Sequence, residues 1–403
     1  MEARFSIGVA PMEGVTELPF RAWLWQTSAP EVMATPFLRV TPTYPRSELP
    51  AMFAPELFAL RSYVPYALVP QLMAANAEDF TRVAALFREA SDFVELNCGC
   101  PSPSCVGSGA GSSLLRDPAV FHGTIERLTQ AVGPARLAVK MRTGFAVATE
   151  LGTLIDGIRG APLARLTVHG RTRVDGYKGR ARWDLIAKVA AKMTVPVVAS
   201  GDIISRDRLQ QLRAVAPLAT GVIIGRGVLR NPWIFHELRG ATVTLTTAGL
   251  VDAVACFALL HQLNLSGRLV DLIRDGLLQS SAGLEEDAWA ALLRRLTIAA
   301  FGSERAAIDV TCERVVLGRT KMLWNHLRGS LPKPYFAPQV LRSAELPVLI
   351  AGIENCARIH GAARVEVCHN VDHDWMFSGE KRASETDNLL PGKAESGGSL
   401  TIE

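Results

Sequence analysis

Apolar residues recur along the first ~230 positions in short runs, at 5–10, 31–36, 66–72, 93–96, 137–141, 166–169, 195–199 and 221–224. Runs of that length between polar segments read as strands. Between several of them, at 77–90, 118–132, 184–193 and 206–215, apolar positions repeat every three or four residues. That spacing predicts helices with one buried face. Strands at intervals of about 25 to 45 residues, with helices between, make β/α units. Eight such units in ~220 residues suit a TIM barrel. A doubly wound open sheet alternates in the same way, but no Gly-x-Gly-x-x-Gly follows the first run.

After Pro232 the strand signals fade and longer helical stretches follow, at 250–278 (with a break near Ser266-Gly267), 285–301, 304–327 and 338–360. The expected fold is therefore an α/β TIM (β/α)8 barrel followed by a C-terminal all-helical domain. The boundaries are 1–235 for the barrel, 236–371 for the helical domain and 372–403 for a polar tail. That tail is rich in Gly, Ser, Glu and Lys, with too little apolar content to bury, and is expected to be disordered.

Composition adds limits rather than an answer. Hydrophobic residues make up 48% and charged residues 20%, the mix of a globular chain. The net charge of +4 is too small to imply nucleic acid by itself. No run approaches the ~18 uninterrupted apolar residues of a membrane span, and the first apolar run is too short for a signal peptide. Seven unevenly spaced cysteines fit reduced thiols, not a disulfide framework. The expectation is a soluble cytoplasmic enzyme, monomeric and without a membrane partner.

In a barrel the carboxyl ends of the strands converge on the face where chemistry is placed. Those ends carry Met12, Arg39, Gln71, Asn97 with Cys100, Lys140 with Arg142, His169, Ser200-Gly201-Asp202 and Gly225-Arg226. A scaffold without activity has no need of such a ring. The fourth strand runs into Asn97-Cys98-Gly99-Cys100-Pro101-Ser102 and then the glycine-rich Gly107–Gly111 segment. A C-x-C pair lacks the spacing of a zinc site, and no second pair follows. Packing suits Cys256, Cys312 and Cys356 on helices. It suits Cys100 poorly, because Gly99 and Pro101 put it on an irregular loop at the functional end.

Five blocks in order, Ala10-Pro11-Met12-Glu13-Gly14-Val15-Thr16, Asn97 to Ser102, Val139-Lys140-Met141-Arg142-Thr143-Gly144, Val168-His169-Gly170-Arg171-Thr172 and Ile224-Gly225-Arg226-Gly227, resemble the signature blocks of tRNA-dihydrouridine synthases. Cys98 and the Gly107–Gly111 run look most like the bacterial C subgroup. The resemblance covers about residues 5–235 and returns near 314–328, where Arg319 and Lys321 align with tRNA-contacting positions.

What the resemblance implies is NADPH-dependent reduction of a uridine in the D-loop of tRNA, at position 16, with FMN as carrier. Hydride would pass from flavin N5 to uracil C6, and Cys100 would give the proton to C5. Ser200, Gly201, Asp202, Gly225 and Arg226 would hold the FMN phosphate, Ala10, Pro11 and Met12 would lie along the ring, and Gln71 would bond its polar edge. Lys140 would stabilise the anionic reduced form, and His169 would contact flavin or phosphate. The family usually has Asn where Ser200 stands. Asn97 and Arg142 would meet the uracil edge. Arg39, Arg319 and Lys321 would meet tRNA, and no metal is implied.

Charge placement agrees with an RNA substrate. Six basic residues and no acid lie in 314–342, and five basic residues against Asp175 alone lie in 171–182, with Tyr177, Trp183 and Trp324 interleaved. Two alternatives share parts of the pattern: an FMN barrel oxidoreductase acting on a free pyrimidine, and a non-catalytic RNA-binding relic.

Overall fold

The computed structural model describes residues 5–368, so the polar tail at 372–403 lies outside the described residues. Eight parallel strands, β1 (Ser6–Val9), β2 (Val32–Arg39), β3 (Ala67–Met73), β4 (Val94–Cys98), β5 (Leu137–Arg142), β6 (Arg165–His169), β7 (Val197–Ser200) and β8 (Gly221–Ile224), follow one another around a closed barrel. β8 pairs back onto β1, with Val9 opposite Ile224. Closure removes every unpaired strand edge. It also brings all eight strand ends to one rim, the condition for a site assembled from distant sequence.

Around the barrel stand α1 (Leu18–Ser28), α2 (Ala77–Ala84), α3 (Pro103–Gly107), α4 (Pro118–Val132), α5 (Leu151–Asp156), α6 (Trp183–Lys192), α7 (Arg206–Val215), α8 (Gly227–Arg230) and α9 (Ile234–Leu238). α4 shows how local chemistry sets the limits. Asp117 accepts a hydrogen bond from Ala119 N at 2.8 Å, Pro118 takes the first turn, and Gly133 ends the helix at φ 95°. A polar cap, an N-terminal proline and a terminal glycine each satisfy or stop the backbone. By contrast Pro36 does not end β2. The register shifts between Ala34 and Phe37, and the strand continues to Arg39, because a bulge tolerates the missing donor.

The remaining elements are β9 (Thr244–Thr246), α10 (Thr247–Leu265), α11 (Leu269–Arg274), α12 (Glu286–Phe301), α13 (Arg314–Leu327), α14 (Leu346–His360) and β10 (Arg364–Glu366). β9 and β10 pair antiparallel, so the region is not purely helical. Three residues per strand are too few to register as alternation in the sequence. The helix expected over 304–327 begins only at Arg314, with a 3-10 turn, Ala307–Asp309, before it.

α10 is long and apolar enough to cross a membrane, and 72% of its apolar window is buried inside the protein. A helix that is apolar on all sides suits the centre of a bundle. α1 packs against it: Trp23 Nε1 donates to Ala253 O at 2.8 Å, and Trp23 stacks edge-on to Phe257 at 5.1 Å. Gln26 Nε2 donates to Leu277 O at 2.7 Å, fixing α1 to the loop after α11.

Candidate active site

A cavity of about 420 Å3 opens at the carboxyl ends of the barrel strands. Ala10, Pro11, Met12, Asn97, Cys100, Lys140, Arg142, His169, Tyr177, Ser200, Gly201, Asp202, Gly225 and Arg226 all line it. Gln71, Arg39, Arg319 and Lys321 are not on its wall.

Its floor is a polar layer inside the barrel. In β4, period-two alternation turns Glu95 and Asn97 to the same face. Glu95 is fully buried and accepts from Gln71 Nε2 at 2.7 Å, Arg165 Nη2 at 3.1 Å and Thr167 Oγ1 at 3.3 Å. Gln71 Oε1 in turn accepts from Asn97 Nδ2 at 2.8 Å. Gln71 thus lies one layer beneath the cavity, with its carbonyl and one amide hydrogen engaged. Burial lowers the Lys140 ammonium to about 8, while Glu95 pulls it upward. Glu95 was missed by strand-end reasoning. The alternation that turns Asn97 inward marks Glu95 as well.

The loop after β4 is shaped by Asn97, whose Oδ1 accepts from Gly99 N and Cys100 N, both at 2.9 Å. Ser112 closes it from the far side, its amide and hydroxyl donating to Cys100 O at 3.2 and 2.7 Å. Gly111 has φ +62°, which favours glycine, and a Cβ there would crowd Cys100 Cβ at 3.2 Å. Cys100 is half-buried, and burial raises its thiol to about 11. At neutral pH it therefore carries its proton. Cys98 is fully buried, pushed up by burial first, and lies outside the cavity wall.

Arg142 donates through Nε to Gly99 O at 2.7 Å and through Nη1 to Thr172 O and Gly176 O, each at 2.9 Å. It ties the β4 loop to the β6 loop. Most of the polar capacity of Asn97 and Arg142 is thus engaged in holding loops, alongside their place on the cavity wall. Tyr177 lies on the β6 loop, 47% exposed, with the Arg226 guanidinium 4.1 Å and the Arg142 guanidinium 5.6 Å from its ring.

The opposite sign of charge is scarce here. Arg171 also lines the cavity and pairs with Asp202 at 2.8 Å. Burial first, then Arg142, Lys140, Arg171 and Arg226, hold His169 well below its usual range, so its ring is neutral. Burial likewise lowers Arg226. His169 Nδ1 and Arg171 Nη1 are buried polar atoms without a hydrogen-bond partner, an unusual state for native structure. Beside them Gly201 has φ +113°. A Cβ at Gly227 would come within 2.5 Å of Ile203 O. Cations, unsatisfied polar atoms and close-running glycine backbone fit a phosphate-bearing cofactor. In the sequence Arg171 stands in the Val168–Thr172 block and in a basic run, with no role of its own assigned.

The basic runs are less free than their sequence suggests. Arg328 is buried with its guanidinium 4.3 Å from the Phe336 ring, and Arg182 pairs with Asp175 at 3.1 Å. Trp324 and Trp183 are buried, leaving Tyr177 as the exposed aromatic of the three. Arg319 donates to Gly14 O at 2.9 Å and pairs with Glu17 at 2.9 Å, stitching α13 to the loop after β1. Arg39 donates to Ser104 O at 3.1 Å. Among the described residues no group of three or more His, Cys, Asp or Glu is placed to hold a metal ion.

The sequence profile of the dihydrouridine synthase (Dus) family matches residues 8–257. The tRNA-dihydrouridine(16) synthase of Cupriavidus necator is 34% identical over 238 residues, covering 58% of this chain and 73% of that one. Its Escherichia coli (strain K12) counterpart is 32% identical over 235 residues, covering 56% and 72%. Among solved structures, morphinone reductase in complex with tetrahydroNAD superposes with a TM-score of 0.43 at 12% identity, over 58% of this chain and 86% of that one. With the profile spanning residues 8–257 and relatives 32–34% identical, the chain belongs to the dihydrouridine synthase family, flavin-dependent oxidoreductases of tRNA uridine, in its bacterial C subgroup.

Proposed function

We propose that this protein reduces uridine 16 in the D-loop of tRNA to 5,6-dihydrouridine in the cytoplasm, as a monomer, with FMN as carrier and NADPH as reductant. The position is supported by the relatives, several of which are tRNA-dihydrouridine(16) synthases. One observation carries the chemistry. The protonated Cys100 thiol shares a single cavity with Lys140, His169, Arg171 and Arg226.

Arg226, Arg171 and His169, with the backbone at Ser200, Gly201 and Gly225, would hold the FMN phosphate. Asp202 keeps Arg171 in place. Ala10, Pro11 and Met12 would flank the ring, Lys140 would set positive charge beside it, and Gln71 would support that floor through Asn97 and Glu95. FMN bound there supplies a hydride for uracil C6. Cys100 holds a proton at Sγ and gives it to C5, which saturates the C5–C6 bond; a thiol, not a thiolate, can do this. Asn97 and Arg142 orient the uracil edge, and the base must leave its stack to arrive. Tyr177 offers an exposed ring at the rim. Arg39, Arg319 and Lys321 would line the tRNA path, with the region at 236–371 as the tRNA-binding part beside the catalytic barrel at 1–235.

The test is turnover by the purified yellow protein on unmodified tRNA and on free uridine, with FMN identified after denaturation. Reduction of tRNA alone is expected. Equal turnover on free uridine would make it a pyrimidine reductase. Tight tRNA binding by a colourless, inactive protein would leave an RNA-binding role. In tRNA from a strain lacking the protein, dihydrouridine should vanish at position 16. Loss at 17 or 20 instead would overturn the position and keep the enzyme class.

A further inference from the structure

We propose that Cys100 and Cys105 form a reversible disulfide under hydroperoxide oxidation, with Cys105 as the resolving thiol that spares the active-site cysteine from irreversible damage. The two sulfurs lie 3.6 Å apart. All seven cysteines are free. Cys105 is buried beneath the cavity in a small apolar cluster with Met73 and Ala110, against which Phe37 and Cys100 pack. Cys100 itself faces the cavity, open to small solutes. A disulfide needs an S–S separation of about 2.0 Å, so the sulfurs must close by ~1.6 Å. α3 is a single turn, tied at Ser104 O to Arg39, and a shift of that turn with side-chain rotation supplies the movement.

The Cys100 thiolate attacks the hydroperoxide, the O–O bond breaks, and Cys100 becomes a sulfenic acid as water or an alcohol leaves. Cys105 sulfur then attacks the sulfenic sulfur. The S–S bond forms, the S–O bond breaks, and the hydroxyl leaves as water with the Cys105 proton. Two electrons pass from the thiols to the peroxide, and a dithiol reductant returns them with two protons. Burial keeps Cys100 mostly protonated, so the first step is slow. The second is intramolecular and outruns further oxidation.

The loss of activity on oxidation rests on Cys100 being the proton donor; the disulfide does not. The flavin-loaded protein is treated with graded hydrogen peroxide, blocked with iodoacetamide and digested with trypsin. Residues 89–116 form one tryptic peptide carrying Cys98, Cys100 and Cys105. In it Cys100 and Cys105 should escape alkylation and together weigh about 2 Da less than two free thiols, with fragment ions placing the bond between them. Activity on tRNA should fall by about tenfold or more and return with dithiothreitol. Cys105→Val and Cys105→Ser should start within about twofold of wild type, then gain about 32 Da at Cys100 and fail to recover. A bond to Cys98, sulfinic acid forming in wild type without the disulfide, or full recovery of both Cys105 variants would overturn the proposal. A Cys100–Cys105 bond in an enzyme that still reduces tRNA would support the redox pair and refute Cys100 as proton donor.

Discussion

Arg171 Nη2 lies 2.8 and 3.0 Å from the two carboxylate oxygens of Asp202, and Asp202 Oδ2 also accepts from Ala181 N at 2.6 Å. The carboxylate therefore pins the β6 loop at two points and leaves Arg171 Nη1 without a protein partner. An acid beside the proposed phosphate site looks unfavourable on charge alone. Its geometry says otherwise, because both carboxylate oxygens hold Arg171 Nη2, adding to the hold of the Lys178 and Gly179 carbonyls on Nε.

Flavin retention should follow that geometry. Arg226→Ala and Arg171→Ala should each weaken FMN binding about 10- to 100-fold, the worth of one charge-assisted hydrogen bond. Lys140→Ala should weaken it less, since that residue tunes the ring. Asp202→Ala should weaken it too, despite removing a negative charge. Fluorescence titration of released flavin measures all four, and tighter binding by Asp202→Ala would contradict the assignment.

Lys140 sets an alkaline limit. With its ammonium lowered to about 8, chiefly by burial, positive charge beside the flavin is present below that pH and lost above it. An anionic flavin would move this limit upward. Flavin reduction by NADPH should therefore fall on the alkaline side, at or above about pH 8, and Lys140→Arg should remove that limb. The Cys100 thiol, at about 11, should contribute no limb in the same range. Stopped-flow reduction rates between pH 6 and 10 decide between them.

Glu95 should control where that limit lies. Glu95→Gln keeps the shape but removes the buried carboxylate that pulls Lys140 upward. The alkaline limb should shift to lower pH while Lys140→Arg still abolishes it. An unchanged profile would show that Glu95 acts only through its hydrogen bonds to Gln71, Arg165 and Thr167.

The barrel was readable because its strands are short apolar runs and the helices between several of them repeat apolar positions every three or four residues. Strand ends then located most of the cavity wall. Pairing between distant residues was not readable. Arg171 counted among the cations of a basic run, and Glu95, inside a strand and not at its end, drew no reading. Arg319 looked like an RNA contact, although it bonds Gly14 and Glu17 some 300 positions away. A linear count of charge cannot separate paired arginines from free ones.

That distinction gives a further prediction. Lys321→Ala should weaken tRNA binding and flatten its salt dependence by about one unit of slope, with flavin binding and NADPH oxidation by an artificial acceptor unchanged. Arg319→Ala should also loosen the loop after β1, where Met12 lies, and so weaken flavin retention modestly. The partly exposed ion pair contributes at most about 1 kcal/mol. Identical flavin binding in the two variants would argue that Arg319 acts on RNA alone.

The central claim is that Cys100 delivers the proton to uridine in tRNA, and the two half-reactions of Cys100→Ala test it most directly. Reduction of the bound flavin by NADPH should keep its wild-type rate. Reoxidation by unmodified tRNA under anaerobic conditions should slow by about 10²- to 10⁴-fold, the usual worth of a positioned general acid. Cys98→Ala should leave both rates nearly intact. Wild-type reoxidation by Cys100→Ala, with the loss appearing in Cys98→Ala instead, would contradict the account.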